Sequence, residues 1–182
     1  MRIISGTYKG KLIIAPKKLP VRPTTDMAKE GMFNILNNHY YFNEISFLDL
    51  FAGTGNISYE FASRGCPSVT SVDADPGCIK FINQKSKELD FQITAIKSDV
   101  FAYLKKAPAR ADVIFADPPY DMAVEDFAKI PELVFQGGML LPDGMLIVEH
   151  SKHTDLSHLH YFSKGRRYGG SGFSFFEMPP NP

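Results

Sequence analysis

Phe47-Leu48-Asp49-Leu50-Phe51-Ala52-Gly53-Thr54-Gly55 decides the fold. Phe47–Leu50 reads as a short apolar strand that carries one acid, and Asn56–Arg64 behind it reads as a helix. Between them, Gly53 and Gly55 let the backbone turn sharply and approach a ligand closely. Working outward, the alternation repeats. Further strands are expected at Ser68–Val72, Ile93–Ser98, Val113–Ala116 and Met145–Glu149, with helices at Pro76–Leu89, Val100–Lys105 and Val124–Phe135. Short apolar strands separated by helices imply a parallel sheet covered on both faces, the doubly wound α/β class. Leu159–Ser163 and Phe173–Met178 have no helix between them and are expected to pair antiparallel at a sheet edge, joined through Gly165–Gly172. The total is a seven-stranded, mostly parallel, Rossmann-like sheet.

Residues 1–24 read as an appendage. Arg2–Ser5 and Lys11–Ala15 are β-prone runs around Gly6-Thr7-Tyr8-Lys9-Gly10, a hairpin pattern, and Pro16, Pro20 and Pro23 then break regular structure. A helix capped by Thr24 or Thr25 follows and runs to about Asn38, opening a catalytic domain over 25–182. The net charge is zero, but it is unevenly spread. Residues 1–30 carry seven Lys and Arg against two Asp and Glu, residues 31–150 nine against sixteen, and residues 151–182 four against two. Basic ends around an acidic middle suit an anionic partner held at one face, which should be the carboxyl edge of the sheet. The appendage is expected to serve that partner rather than the fold, so that its removal would leave a folded domain. No apolar run approaches membrane-spanning length, and the start lacks the apolar stretch of a secretory signal. Cys66 and Cys78 have no metal or redox spacing, so a reduced, cytoplasmic setting without a metal is expected. His150, His153, His158 and His160 read as a polar surface loop. Lys164, Arg166, Arg167 and Tyr168 either grip phosphates or solvate a turn.

Asp49 sits at the carboxyl end of its strand, where ligands of open α/β sheets bind. Asp73 lies eighteen residues beyond Gly55, near the offset of an acid that bonds ribose hydroxyls. Asp99 can accept from an adenine amino group or cap the next helix. A dinucleotide would want Gly or Ala at the third fingerprint position, which here is Ser58, and its pyrophosphate would be opposed by Asp49. The same carboxylate suits the cationic methionine end of S-adenosylmethionine. A glycine turn without a ligand is the remaining alternative. The candidate cofactor residues are Asp49, Phe51, Gly53, Gly55, Asp73 and Asp99.

After the fourth strand comes Asp117-Pro118-Pro119-Tyr120. An exocyclic base amine attacks poorly because its lone pair is delocalised into the ring. Asp117 can accept one N–H and the Pro118 carbonyl the other, which aims the lone pair at a methyl donor and stabilises the positive charge that develops on nitrogen. The prolines stiffen the loop, and Tyr120 offers a ring for a flipped base. The bland alternative is a rigid turn with a capping Asp. A DNA adenine-N6 or cytosine-N4 methyltransferase could use the same tetrapeptide, but such enzymes need extra residues to read the major groove. A non-catalytic RNA-binding module is disfavoured by the intact Asp117 and loop glycines, and a nicotinamide oxidoreductase by Ser58 and Asp49.

These residues resemble the RsmD family of bacterial methyltransferases. The resemblance rests on Arg2-Ile3-Ile4-Ser5-Gly6 with Gly10 and Leu12, and on Arg22-Pro23-Thr24-Thr25-Asp26 with Glu30, Phe33 and Asn34. It continues through Asp49–Gly55, Asp73 and Asp75, Asp117–Tyr120, Glu149 and Tyr168-Gly169. It implies transfer of a methyl group from S-adenosylmethionine to the N2 amine of a guanine in small-subunit (16S) ribosomal RNA, free or in an assembly particle. It also implies catalysis at Asp117, Pro118, Pro119 and Tyr120 by a monomer with an RNA-facing N-terminal hairpin. Arg2, Lys9, Lys11, Arg22, Thr24, Lys29 and Arg167 are the candidates for RNA contact. Lys29 stands where the family usually has Arg, and Gly170-Ser171-Gly172 is expected to loosen the last turn.

Overall fold

The computed structural model describes residues 1–106 and 108–181. Among them lie five helices, α1 (Asp26–Asn37), α2 (Asn56–Ser63), α3 (Pro76–Glu88), α4 (Val100–Lys106) and α5 (Val124–Gln136), and a 3-10 turn at Phe42–Glu44. The strands are β1 (Ser46–Leu50), β2 (Ser68–Asp73), β3 (Ile93–Lys97), β4 (Ala111–Ala116), β5 (Leu140–Ser151), β6 (Phe162–Tyr168) and β7 (Ser171–Glu177). They form one sheet in the order β3-β2-β1-β4-β5-β7-β6. The first five are parallel, and β7 runs antiparallel to both β5 and β6.

Period-two alternation sorts the sheet residues into two cores. Phe47, Val113, Phe115, Met145, Ile147, Phe173 and Phe175 point to one face, where Met32, Phe33 and Leu36 of α1 and Ile57 and Phe61 of α2 cover them. Leu48, Leu50, Ile114, Ala116, Leu146, Val148 and Phe176 point to the other, under Val100 and Leu104 of α4 and Phe127, Ile130 and Val134 of α5. Burial on both faces is why these strands are continuous apolar runs.

The terminal pair differs from expectation. β6 begins at Phe162 and reaches Tyr168, so the stretch expected to be a loop is mostly strand. The turn shrinks to Gly169 and Gly170, and Ser171 and Gly172 are paired residues of β7 opposite Ser151 and His150. Gly169 adopts φ +60°, which a two-residue hairpin turn needs. His150 is not on a surface loop. It is buried on β5, with Nε2 2.7 Å from Ser174 Oγ and Nδ1 2.8 Å from the Ser151 carbonyl.

The appendage is a built part of the fold. Only an Arg2–Leu12 bridge gives it β character, with Ile3 N–H donating to the Lys11 carbonyl at 2.9 Å. Ile3 and Ile13 are buried against Tyr59, Phe81 and Leu89. Glu60 of α2, fully buried, accepts from the backbone N–H of Ile4 (2.9 Å) and Ser5 (3.0 Å) and pairs with Arg64 (3.0 Å) and Lys29 (3.2 Å). Gly6 passes so close to α2 that a Cβ there would collide with the Ser63 carbonyl. Lys29 is wholly buried. Its ammonium also donates to the Arg2 carbonyl and to Asn56 Oδ1 (2.9 Å). Desolvation lowers its pKa, and Glu60 opposes that shift. Lys29 is therefore a structural cation and not a phosphate contact.

Removing residues 1–20 would strip Ile3 and Ile13 from the core and leave Glu60 without two donors, so the truncated chain is expected to unfold rather than persist as a domain. Lys29→Ala should lower stability by ~3–5 kcal/mol, the cost of breaking a buried pair from one side. Urea denaturation followed by circular dichroism checks both, and a Lys29→Ala midpoint equal to wild type would remove the buried pair from the account.

Candidate active site

The order reverses between β1 and β4, and open α/β sheets bind ligands at that crevice, outside the strands' carboxyl ends. A cleft of about 760 Å3 lies there. Its lining includes Asp49, Phe51 and Gly53 from the end of β1, Asp73 from β2, Asp99 after β3 and Asp117–Tyr120 after β4. Of the expected cofactor residues only Gly55 is absent from the wall. At φ +90° it caps α2, and a Cβ there would meet the Tyr59 ring at 2.9 Å, so its work is to turn the chain and let it pack.

Backbone contacts hold the loop. Gly53 N–H donates to Asp73 Oδ2 at 2.8 Å, and Asp75 N–H to Oδ1 at 2.8 Å. Each oxygen retains a lone pair for a ligand hydroxyl. Phe51 sits at φ +57°, a conformation that costs a non-glycine residue ~1–3 kcal/mol and is held because the loop is fixed on both sides. Asp99 accepts Ala102 N–H at 2.9 Å and so caps α4 while lining the cleft. Asp49 is buried, and Ser58 Oγ donates to its Oδ2 at 2.6 Å. Burial pushes Asp49 up to about 7, the Ser58 hydrogen bond working against that and Asp73 with it. Asp117 is also held well above the usual carboxylate range, first by burial, then by Glu149 and Asp49, with Arg22 opposing.

Sequence reading singled out Arg22 and Thr24 for RNA contact but missed that the segment before α1 is itself a wall of the cleft. Leu19–Thr24 crosses the cleft as a strap: a Cβ on Gly53 would lie 3.1 Å from Val21, and one on Gly77 2.8 Å from Leu19. Arg22 stacks its guanidinium over the Tyr120 ring, 4.6 Å from the centroid. Thr24 is buried and donates to Glu149 Oε2 at 2.6 Å, so its hydroxyl is taken up internally rather than offered to RNA. The spacing of three prolines around Arg22 is the one sequence signal for a stiff strap.

The remaining basic candidates divide. Arg2, paired with Asp26 at 3.0 Å, Arg22 and Arg167 are exposed near the carboxyl edge. Lys9 and Lys11 lie at the far end of the appendage, where Tyr8 packs edge-on against Phe91 and Lys11 acts on Glu88 at the close of α3. That is the amino edge, because α3 returns antiparallel to the strands. The two basic ends thus share the cleft face only in part.

Among the described residues, none of Asp49, Asp73, Asp99 and Asp117 is in a salt bridge. A cleft lined with unpaired carboxylates repels a pyrophosphate and suits a ligand with cationic centres and ribose hydroxyls. These acceptors fit S-adenosylmethionine, for which Asp49 would face the positive methionine end and Asp73 the ribose.

Comparison with known proteins agrees. The family model described as Conserved hypothetical protein 95 matches residues 1–177. The Haemophilus influenzae protein named ribosomal RNA small subunit methyltransferase D is 30% identical over 164 residues, spanning 86% of this chain and 81% of that one. The solved structure of a hypothetical protein from Thermus thermophilus superposes with a TM-score of 0.83 at 24% identity, over 98% of this chain and 99% of that one. An RNA methyltransferase from Salinibacter ruber, solved with S-adenosyl-L-homocysteine, gives 0.65 at 16% identity, over 88% and 98%. Fold and site define a Rossmann-like methyltransferase whose cofactor is S-adenosylmethionine. Within that class the chain belongs to the RsmD family.

Asp49 makes a pH prediction for the ligand-free protein. Its native carboxyl keeps a proton up to about pH 7, whereas the unfolded one releases it near the ordinary value of 3.8. Between those values the native state binds more protons, so stability falls as pH rises and levels off above about 7. Asp49→Asn should lack this slope. The wild-type minus variant stability, from urea titrations at a series of pH values, should decline by on the order of 4 kcal/mol across the window. A flat difference would show that Asp49 is ionised throughout.

Proposed function

We propose that this protein methylates the N2 amine of a guanine in 16S ribosomal RNA, free or within a small-subunit assembly particle. The observation that carries the reading is the placement of Asp117-Pro118-Pro119-Tyr120 at the end of β4, in the same cleft as Asp49, Gly53 and Asp73. Reactive loop and donor pocket therefore share one chamber. The name of the Haemophilus influenzae relative points to small-subunit ribosomal RNA as the substrate class.

S-adenosylmethionine supplies a methyl group on a sulfonium, which leaves as a neutral thioether. Asp117 accepts one N–H of the target amine and the Pro118 carbonyl the other, turning the nitrogen lone pair toward the methyl carbon. As the N–C bond forms and the C–S pair returns to sulfur, nitrogen becomes positive and must lose a proton. Asp117, whose proton affinity is raised by burial and by neighbouring acids, is placed to take it. Tyr120 is 36% exposed and offers its ring to the extruded base, which would stack there beside or in place of the Arg22 guanidinium. Holding both reactants in line can supply ~7–11 kcal/mol, and no metal is needed for the step. Arg2, Arg22 and Arg167 are exposed cations at this edge that phosphates can approach.

The test is mass spectrometry of nucleosides after incubating small-subunit RNA or particles with the protein and donor. N2-methylguanosine is expected, and a methylated adenine or cytosine instead would overturn the assignment. Asp117→Ala should reduce turnover by ~100-fold or more while calorimetry shows donor binding retained. Undiminished turnover in that variant would remove Asp117 from the chemistry.

A further inference from the structure

Side chains from four separate parts of the chain close a ring around the mouth of the cleft. Thr24 of the strap donates to Glu149 Oε2 at 2.6 Å. Glu149 stands near the carboxyl end of β5, only 2% exposed, and the hydroxyl of Ser171, the first residue of β7, lies close enough to favour its charged form. Ser171 Oγ is in turn 3.2 Å from the Tyr120 hydroxyl. Tyr120 carries the Arg22 guanidinium over its ring, and Arg22 lies two residues before Thr24, so the contacts return to their start.

Glu149 forms no salt bridge among the described residues; hydroxyls from two other elements favour its charged form, and Arg22 acts on it only through charge. A buried carboxylate held this way is poorly chosen for stability, since an apolar residue of similar volume would avoid desolvation. What it does provide is direction: one carboxylate on β5 holds the strap through Thr24 and faces the Ser171 hydroxyl that meets Tyr120. We propose that Glu149 is a positioning residue that, through Thr24 and Ser171, sets the strap and the Tyr120 ring as the two walls of the slot that receives the target base. It is not a catalytic residue, because it acts through its neighbours. The inference rests on the reading of Tyr120 as the base-stacking surface.

The experiment uses the full chain with small-subunit RNA or particles and measures kcat, KM for RNA and donor affinity separately. Glu149→Ala should raise KM for RNA and lower kcat, each by roughly tenfold, the size of one lost hydrogen bond, while donor affinity stays at the wild-type value. Glu149→Gln keeps an acceptor for Thr24 and should recover most of the loss. Ser171→Ala should move kcat and KM in the same direction, and adding it to Glu149→Ala should cost little more, because the two act as one unit. Ser171→Ala also decides the matter should Glu149→Ala fail to fold. Wild-type kcat and KM in Glu149→Ala or in Ser171→Ala, additive losses in the double variant, or a fall in donor affinity matching a fall in Tm would each overturn the proposal. Tyr120→Ala is the parallel control. Full activity there would remove the base-stacking reading itself, whereas loss there with none in Glu149→Ala would overturn the positioning role alone.

Discussion

The structure turns on one buried carboxylate. Glu60, near the middle of α2, gathers the Lys29 ammonium from α1, the Arg64 guanidinium and two backbone N–H groups of the appendage. An ionised acid at full burial is tolerable only when its lone pairs are taken up, and here donors from three segments do so. The consequence is positional. Lys29 also holds Asn56, whose Nδ2 donates to the Thr24 carbonyl at 3.1 Å, so the strap that crosses the cleft is tied to the same centre. A change of charge behind the cleft wall would therefore loosen the strap before it touched any reacting group.

The cleft follows a different logic. It gathers carboxylates at strand ends, and two of them, Asp49 and Asp117, are pushed toward their neutral forms. A cationic ligand favours the charged form of Asp49, and the raised proton affinity of Asp117 favours uptake of the proton that a methylated amine must lose. The free site is electrostatically incomplete, and the chemistry proposed for it supplies what is missing at each acid in turn.

Much of this was legible in the chain. The Asp49–Gly55 stretch and the Asp117–Tyr120 loop fall at strand ends because apolar runs buried on both faces leave no ambiguity about where the strands lie. What reading missed shares a cause, which is that charge was taken as a sign of surface. Lys29 occupies the same helical face as Met32, Phe33 and Leu36, and its spacing from them was the signal that it points inward. The β6 boundaries were lost because glycines and arginines do not look like strand, and His150 because its partner Ser174 lies on a strand that joins β5 only after a long excursion. Lys9 and Lys11 were misplaced because composition says which residues are basic and not which way a hairpin runs along a helix.

β6 has a further property that follows from its place at the end of the sheet. One side of its backbone has no neighbouring strand, and such a rim invites pairing with another chain. Lys164, Arg166 and Arg167 lie along it, with Lys164 laid over the Phe175 ring. Like charges on two approaching rims repel, so these side chains oppose edge-to-edge pairing whatever else they contact. Neutralising them would first be felt as self-association at high protein concentration, before any reactant was present.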